Sequence, residues 1–249
     1  MVARRDLKLP TKLKRDAILE SVLELRFATA VVSEVFLGKL IQHWPNYQQR
    51  RLAAYEIPPQ IRELDPNVRY APTIELASPD AKSAVRIGPF VLSFARAAPY
   101  TGWRAFSPEL TNSVTALFDA TGESLTVSRI GLRYINGLTL THHSIKSLAD
   151  LDLNISIAGE ALAEGINLNV NNKSDGEFCS TVRIAGSDVI VGQIPEDVTV
   201  IVDVDVFTKE GFEATHRDAV LRWIEQAHTC EKMEFFHLFK KEHIAEWST

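Results

Sequence analysis

The chain has 249 residues, 45% of them hydrophobic and 24% charged, with a formal net charge of −5. These are ordinary globular values, enough for a sizeable core in one large domain or two smaller ones, and the acidic balance argues against a broad nucleic-acid coat. Its two cysteines, Cys179 and Cys230, lie in apolar, regular segments, which argues against a disulfide framework and for a reducing, cytoplasmic setting. The start lacks the apolar core of a signal peptide, and no apolar run approaches the roughly 20 residues that a membrane span needs.

Arg4, Arg5, Lys8, Lys12, Lys14 and Arg15 face the single acid Asp6 in a basic leader over residues 1–15. A flexible, solvated leader is the preferred reading; an arm that touches nucleic-acid phosphates is the alternative. Ser21 to Phe27 alternates and predicts a strand, after which Ser33 caps a helix through Val35, Phe36, Leu40 and Trp44 that Pro45 stops. Arg50 to Ile57 has strand character before Pro58, Pro59 and Pro66 break the segment into loop. Thr73 to Leu76 and Ala84 to Phe94 read as a hairpin about Ser78-Pro79-Asp80. Ser107-Pro108-Glu109 opens a helix with Leu110, Val114, Leu117 and Phe118 on one face.

Val127 to Leu140 holds the most informative run, Arg129-Ile130-Gly131-Leu132-Arg133-Tyr134-Ile135-Asn136-Gly137. Strand alternation sends Ile130, Leu132 and Tyr134 one way, and Arg129, Gly131 and Arg133 the other. Further strands are expected at residues 153–157, 165–170, 179–184, 189–191 and 198–207, with a polar turn at Asn171-Asn172-Lys173-Ser174-Asp175-Gly176. From His216 the pattern is helical, as one long C-terminal helix or a helix followed by a short second one.

Strands and helices do not alternate regularly, so the expected class is α+β, mainly antiparallel sheet with packing helices. A leader over 1–15, a half over 16–145 and a half over 146–249 follow, the two halves being similar in outline.

The opening strand from Ile18 to Phe27, Gly102-Trp103-Arg104-Ala105-Phe106, the Arg129 to Asn136 run, and a C-terminal helix with Ala227-His228 and Phe235-Phe236 carry a resemblance. Together they resemble a sporadically distributed prokaryotic protein family of about this length, one without an assigned activity. The patchy distribution implies an accessory role, such as a component of a mobile defence or toxin–antitoxin locus.

Arg129 and Arg133, with Arg86 on a neighbouring strand and Trp103, Tyr134 and Asn136 nearby in sequence, form the leading candidate binding constellation. The arginines suit a phosphate or a partner's acidic side chain, or else they pair across the sheet with acids such as Glu24 and Glu75. Asp203 and Asp205 share one strand face and suit Mg²⁺ chemistry, against the plainer reading of an amphipathic strand built on Val198 to Val206. His142 and His143 read as a solvated loop rather than a base or metal ligand. His228, Cys230 and His237 show no zinc spacing and read as core or interface residues. Asn167, Asn169 and Asn171 line one face of a strand that is either solvated or suited to binding a peptide or sugar. No glycine-rich phosphate loop, nucleophile elbow or dinucleotide fingerprint occurs, so no catalytic residue and no cofactor is assigned.

The expectation is a binding or interaction component, not an enzyme. Its partner would be another protein, held by the sheet face or by an aromatic helix presenting Trp223, Phe235, Phe236 and Trp247, with a homodimer among the possibilities. The alternatives are a metal-dependent nuclease or phosphotransferase on Asp203 and Asp205, and a nucleic-acid binder using residues 1–15.

Overall fold

The computed structural model describes residues 9–10, 13–162, 164–173, 176–190 and 194–248. The chain is α+β: mainly antiparallel sheet with packing helices, as expected. It divides into two compact units, each discontinuous in sequence. One unit comprises residues 21–132 and 207–226; the other comprises 1–20, 133–206 and 227–249. The division expected at 145/146 coincides with none of the four positions where the chain passes between the units.

The 21–132 unit carries β1 (Ile18–Ala28), α1 (Ser33–Ile41), β2 (Gln48–Arg51), α2 (Pro59–Leu64), β3 (Ile74–Ala77), β4 (Ser83–Gly88), β5 (Val91–Ala97), α3 (Trp103–Thr121) and the start of β6 (Thr126–Thr139). Its strand order is β2-β3-β4-β5-β1-β6. Alternation sends Leu23, Leu25 and Phe27 of β1 inward, with Val85 and Ile87 of β4 and Leu92 and Phe94 of β5, all 2% exposed or less. Phe36 of α1 meets Phe27 at 5.8 Å between ring centroids, and Phe106 of α3 meets Phe94 at 6.0 Å. α3 also turns Leu110, Val114 and Leu117 into this core.

Several boundaries differ from the sequence reading. Val32, not Ser33, is the N-cap of α1, and it makes no side-chain cap bond. The expected strand over 84–94 is two strands, because the chain reverses after Gly88, where an added Cβ would lie 2.9 Å from the Ala71 carbonyl oxygen. α3 begins at Trp103, with Gly102 as N-cap at φ 86°, so Pro108 lies inside the helix instead of opening it. Pro59, read as a breaker, is the first residue of α2.

The other unit carries the rest of β6, α4 (Leu140–His143), the hairpin of β7 (Ser156–Ile157) and β8 (Glu160–Ala161), β9 (Asn167–Lys173), β10 (Phe178–Gly186), most of β11 (Val198–Thr208), the second half of α5 (Arg217–Phe236), and α6 (Lys241–Trp247). Its strand order is β6-β11-β10-β9. Val198, Val200, Val202, Val204 and Val206 of β11 face the core, all 4% exposed or less. Phe239 stacks near Phe235 at 4.9 Å and Trp247 at 4.8 Å, and Trp247 Nε1 donates to the His143 carbonyl at 2.9 Å. β9 continues through Asn171 and Asn172, which the sequence reading placed in a turn. Val189, expected in a strand, ends a 3₁₀ turn, and Val191 lies outside the described residues. The expected leader lies largely outside them too, but the Lys14 amide donates to the Trp247 carbonyl at 2.8 Å and Lys232 Nζ donates to the Pro10 carbonyl at 2.8 Å.

Candidate functional site

The outward face of the 21–132 unit carries a row of arginines and glutamates that strand register assembles. Arg50 of β2 and Arg86 of β4 both lie opposite Glu75 of β3. Side chains directly opposite share a face, about 4.5–5.5 Å apart at Cβ. Glu75 therefore accepts two charge-assisted bonds, from Arg50 Nε to Oε1 at 2.6 Å and from Arg86 Nε to Oε2 at 2.8 Å. Burial works against the charge on Glu75, but the bonds from Arg86 and Arg50 outweigh it and hold the carboxyl below its usual range.

On β5 the partner of Arg86 is Ser93. The Phe27 amide donates to the Phe90 carbonyl at 3.0 Å, which brings Glu24 of β1 alongside Ser93, three residues further along each antiparallel strand. Glu24 is shared in the same way: its Oε1 accepts from Arg26 Nε at 2.8 Å and from Arg129 Nη1 at 2.9 Å. Aromatic rings back these guanidiniums, with Tyr70 4.6 Å from Arg26 and Phe207 4.8 Å from Arg129. The row thus gathers four arginines (Arg26, Arg50, Arg86, Arg129) around two glutamates (Glu24, Glu75), each glutamate shared by two of them. The cations also face solvent more than the buried acid: the Arg50 side chain is 67% exposed and Arg86 37%, against 6% for Glu75.

Arg129 and Arg86 therefore belong to this row, whereas Trp103 does not: its Nε1 donates to Glu225 at 3.1 Å and its ring packs on Phe106 at 6.2 Å. Arg133 has its own partner in the other unit. Its Nε and Nη2 clasp the two carboxylate oxygens of Asp203 at 2.7 and 2.6 Å. That bond raises the Arg133 pKa further above its already high range, against the opposing effect of burial. Tyr134 and Asn136, expected in the binding constellation, are 1% and 3% exposed. Asn136 Nδ2 instead donates to the Val202 carbonyl at 3.1 Å. Strand parity put both on the core side, the same side as Ile130 and Leu132.

The aromatic surface expected on the C-terminal helix is core. Trp223, Phe235, Phe236 and Trp247 are 3%, 5%, 4% and 3% exposed within a single chain. Their number reflects two helices, α5 and α6, each burying its own face. His143, expected on a solvated loop, is buried; its Nδ1 accepts from the Thr139 amide at 3.1 Å, and burial lowers its pKa. Its neighbour His142 is exposed, as adjacent side chains diverge. Among the described residues no group of three or more His, Cys, Asp or Glu side chains is placed to hold a metal ion. The carboxylate of Asp203, central to the metal reading, is occupied by Arg133.

Sequence reasoning overlooked Arg26 and Arg50, and no local motif marks them. The only signal was the parity that puts Arg26 on the same strand face as Glu24. It also overlooked a second polar cluster, in which Arg96 Nη1 donates to Glu109 Oε1 at 2.6 Å and to Ser83 Oγ at 3.4 Å. Beside it, Tyr47 is pushed above its ordinary pKa, first by burial and then by Glu109, which disfavours a phenolate there. Among the described residues no helix is long and apolar enough to cross a membrane. No protein-family model matches the chain, and a search of curated proteins finds no match either.

Proposed function

We propose that the chain is a non-enzymatic binding component of the cytoplasm that docks an acidic segment of a partner protein on the arginine row of the 21–132 unit. The observation that carries this reading is the stoichiometry of the row. Each glutamate is shared by two arginines, so both carboxylates are satisfied, while the Arg50 and Arg86 side chains stay 67% and 37% exposed to a partner. A guanidinium that already bonds one carboxylate through Nε keeps donors on its outer nitrogens for a second. The internal glutamates, carboxylates held by these same arginines, support an acidic side chain as the ligand. The chain's net charge of −5 disfavours a polyanion as long as nucleic acid over one as short as an acidic loop. An accessory role in a mobile defence or toxin–antitoxin locus, as the family resemblance implies, is compatible with such a docking protein.

The test is a titration of the full chain with a fluorescent oligoglutamate peptide and, separately, with a DNA oligonucleotide of equal charge. Preferential, salt-weakened binding of the peptide is expected. Tighter binding of the DNA would move the assignment to a nucleic-acid interface.

A further inference from the structure

Among the described residues the strand order in the 133–206 unit ends at β9, and this edge has few of the features that keep edges apart. Edge strands present unpaired amides and carbonyls, and natural chains blunt them by shortness, charge or proline. β2, the edge strand of the 21–132 unit, is blunted in this way: it is four residues long and carries Arg50 and Arg51. β9 has seven residues, and from Asn167 to Asn172 it contains neither charge nor proline.

Its hydrogen-bonding parity follows from the register. β9 pairs with β10 without interruption from Asn167↔Ala185 to Lys173↔Cys179, and in the same register the Gly186 amide donates to the Ile166 carbonyl. Residues 166, 168, 170 and 172 therefore turn their backbone groups to β10, and Asn167, Asn169 and Asn171 turn theirs to the open edge. Apart from Leu140, the exposed large apolar side chains described in this unit lie between residues 157 and 170. Ile157 and Leu162, in and beside the β7–β8 hairpin, are 65% and 38% exposed, and Val170 of β9 is 37% exposed.

We propose that β9 pairs antiparallel with β9 of a second copy of this chain. Self-complementarity of the strand favours this occupant. The uncharged stretch from Asn167 to Asn172 meets its own two-fold mate without repulsion, and asparagine amides both donate and accept, so Asn opposite Asn is satisfied in either order. A two-fold axis across the edge also closes the assembly at a dimer, which removes the open edge without propagating it.

The experiment is the solution mass of the full chain by light scattering over a concentration series, with two variants. Wild type is expected to form a dimer. Asn169→Pro removes an amide that β10 does not use, so it is expected to give a monomer with unchanged far-UV circular dichroism. Asn169→Lys with Asn171→Lys leaves the backbone intact and is expected to shift the chain to monomer at low salt, with the dimer recovered at high salt. A wild type that is monomeric throughout overturns the proposal, as does a folded Asn169→Pro variant that remains dimeric. If Asn169→Pro does not fold, the lysine pair decides: a dimer insensitive to it overturns the proposal. The acidic-partner reading stands or falls separately, because none of these residues belongs to the arginine row.

Discussion

Arg133 holds Asp203 with two parallel hydrogen bonds, Nε to Oδ1 at 2.7 Å and Nη2 to Oδ2 at 2.6 Å. The partners are unequally placed: the Arg133 side chain is 39% exposed and that of Asp203 only 10%. Arg133→Ala leaves a nearly buried carboxylate without its cation, whereas Asp203→Asn leaves an arginine that reaches water. Arg133→Ala is expected to cost about 2 kcal/mol in urea denaturation and Asp203→Asn roughly 1 kcal/mol, with the double variant costing less than the sum. Millimolar Mg²⁺ is expected to leave the wild-type Tm unchanged. A Tm raised by Mg²⁺ and insensitive to it in Asp203→Asn would restore the metal reading.

His228 and Glu231 lie three apart on α5 and titrate in opposite senses. Burial, aided by Lys232, pushes His228 down from 6.5 to about 4. Burial pushes Glu231 up from 4.5 to about 8, against Lys232 and with Glu234. The unfolded chain takes up the histidine proton first, so stability from His228 is lost as pH falls from 6.5 through about 4. The unfolded chain also gives up the glutamic proton first, so stability from Glu231 is lost as pH rises from 4.5 through about 8. The two slopes oppose each other between 4.5 and 6.5, which predicts a plateau there and a decline above it. Glu231→Gln is expected to remove the alkaline decline and turn the plateau into the His228 slope, stability rising from about pH 4 to 6.5, measured as Tm against pH.

Trp247 closes the aromatic cluster of the C-terminal segment. Trp247→Phe keeps ring contact with Phe239 but loses the bond to the His143 carbonyl, and is expected to cost about 1–2 kcal/mol. Trp247→Ala removes both and is expected to cost about 3–5 kcal/mol. Equal losses in thermal unfolding would mean that the indole bond contributes nothing.

Gly137 sits where an added Cβ would lie 2.8 Å from Leu19 Cδ1 and 2.9 Å from Val198 Cγ2. Gly137→Ala is expected to destabilise by about 1–3 kcal/mol through overpacking, and Leu19→Ala in the same chain to recover part of that loss.

Much of the fold was legible because it rests on parity. The alternation of β1, β6 and β11 gave both their extent and the side on which Arg129, Arg133 and Asp203 project. The same parity places Tyr134 and Asn136 inward, where no binding constellation can use them. What stayed hidden depends on partners distant in sequence. Nothing local indicates that Arg50 meets Glu75, because the register of β2 on β3 is set by tertiary pairing. Pro108 lies within α3 because Gly102, at positive φ, starts the helix earlier, and the proline's missing amide forgoes the bond to the Arg104 carbonyl. The aromatic excess of the C-terminal segment looked like an interface because α5 and α6 were counted as one face.

The most direct test of the arginine row removes one arginine from each shared glutamate. Arg26→Ala with Arg50→Ala leaves Glu24 paired with Arg129 and Glu75 paired with Arg86. Stability is expected to change by less than about 1 kcal/mol, because both lost bonds are partly exposed. Affinity for the oligoglutamate peptide is expected to fall by about tenfold or more, each interaction with a charged group contributing roughly 1 kcal/mol or above. An equally stable double variant that binds the peptide as tightly as wild type would contradict the account.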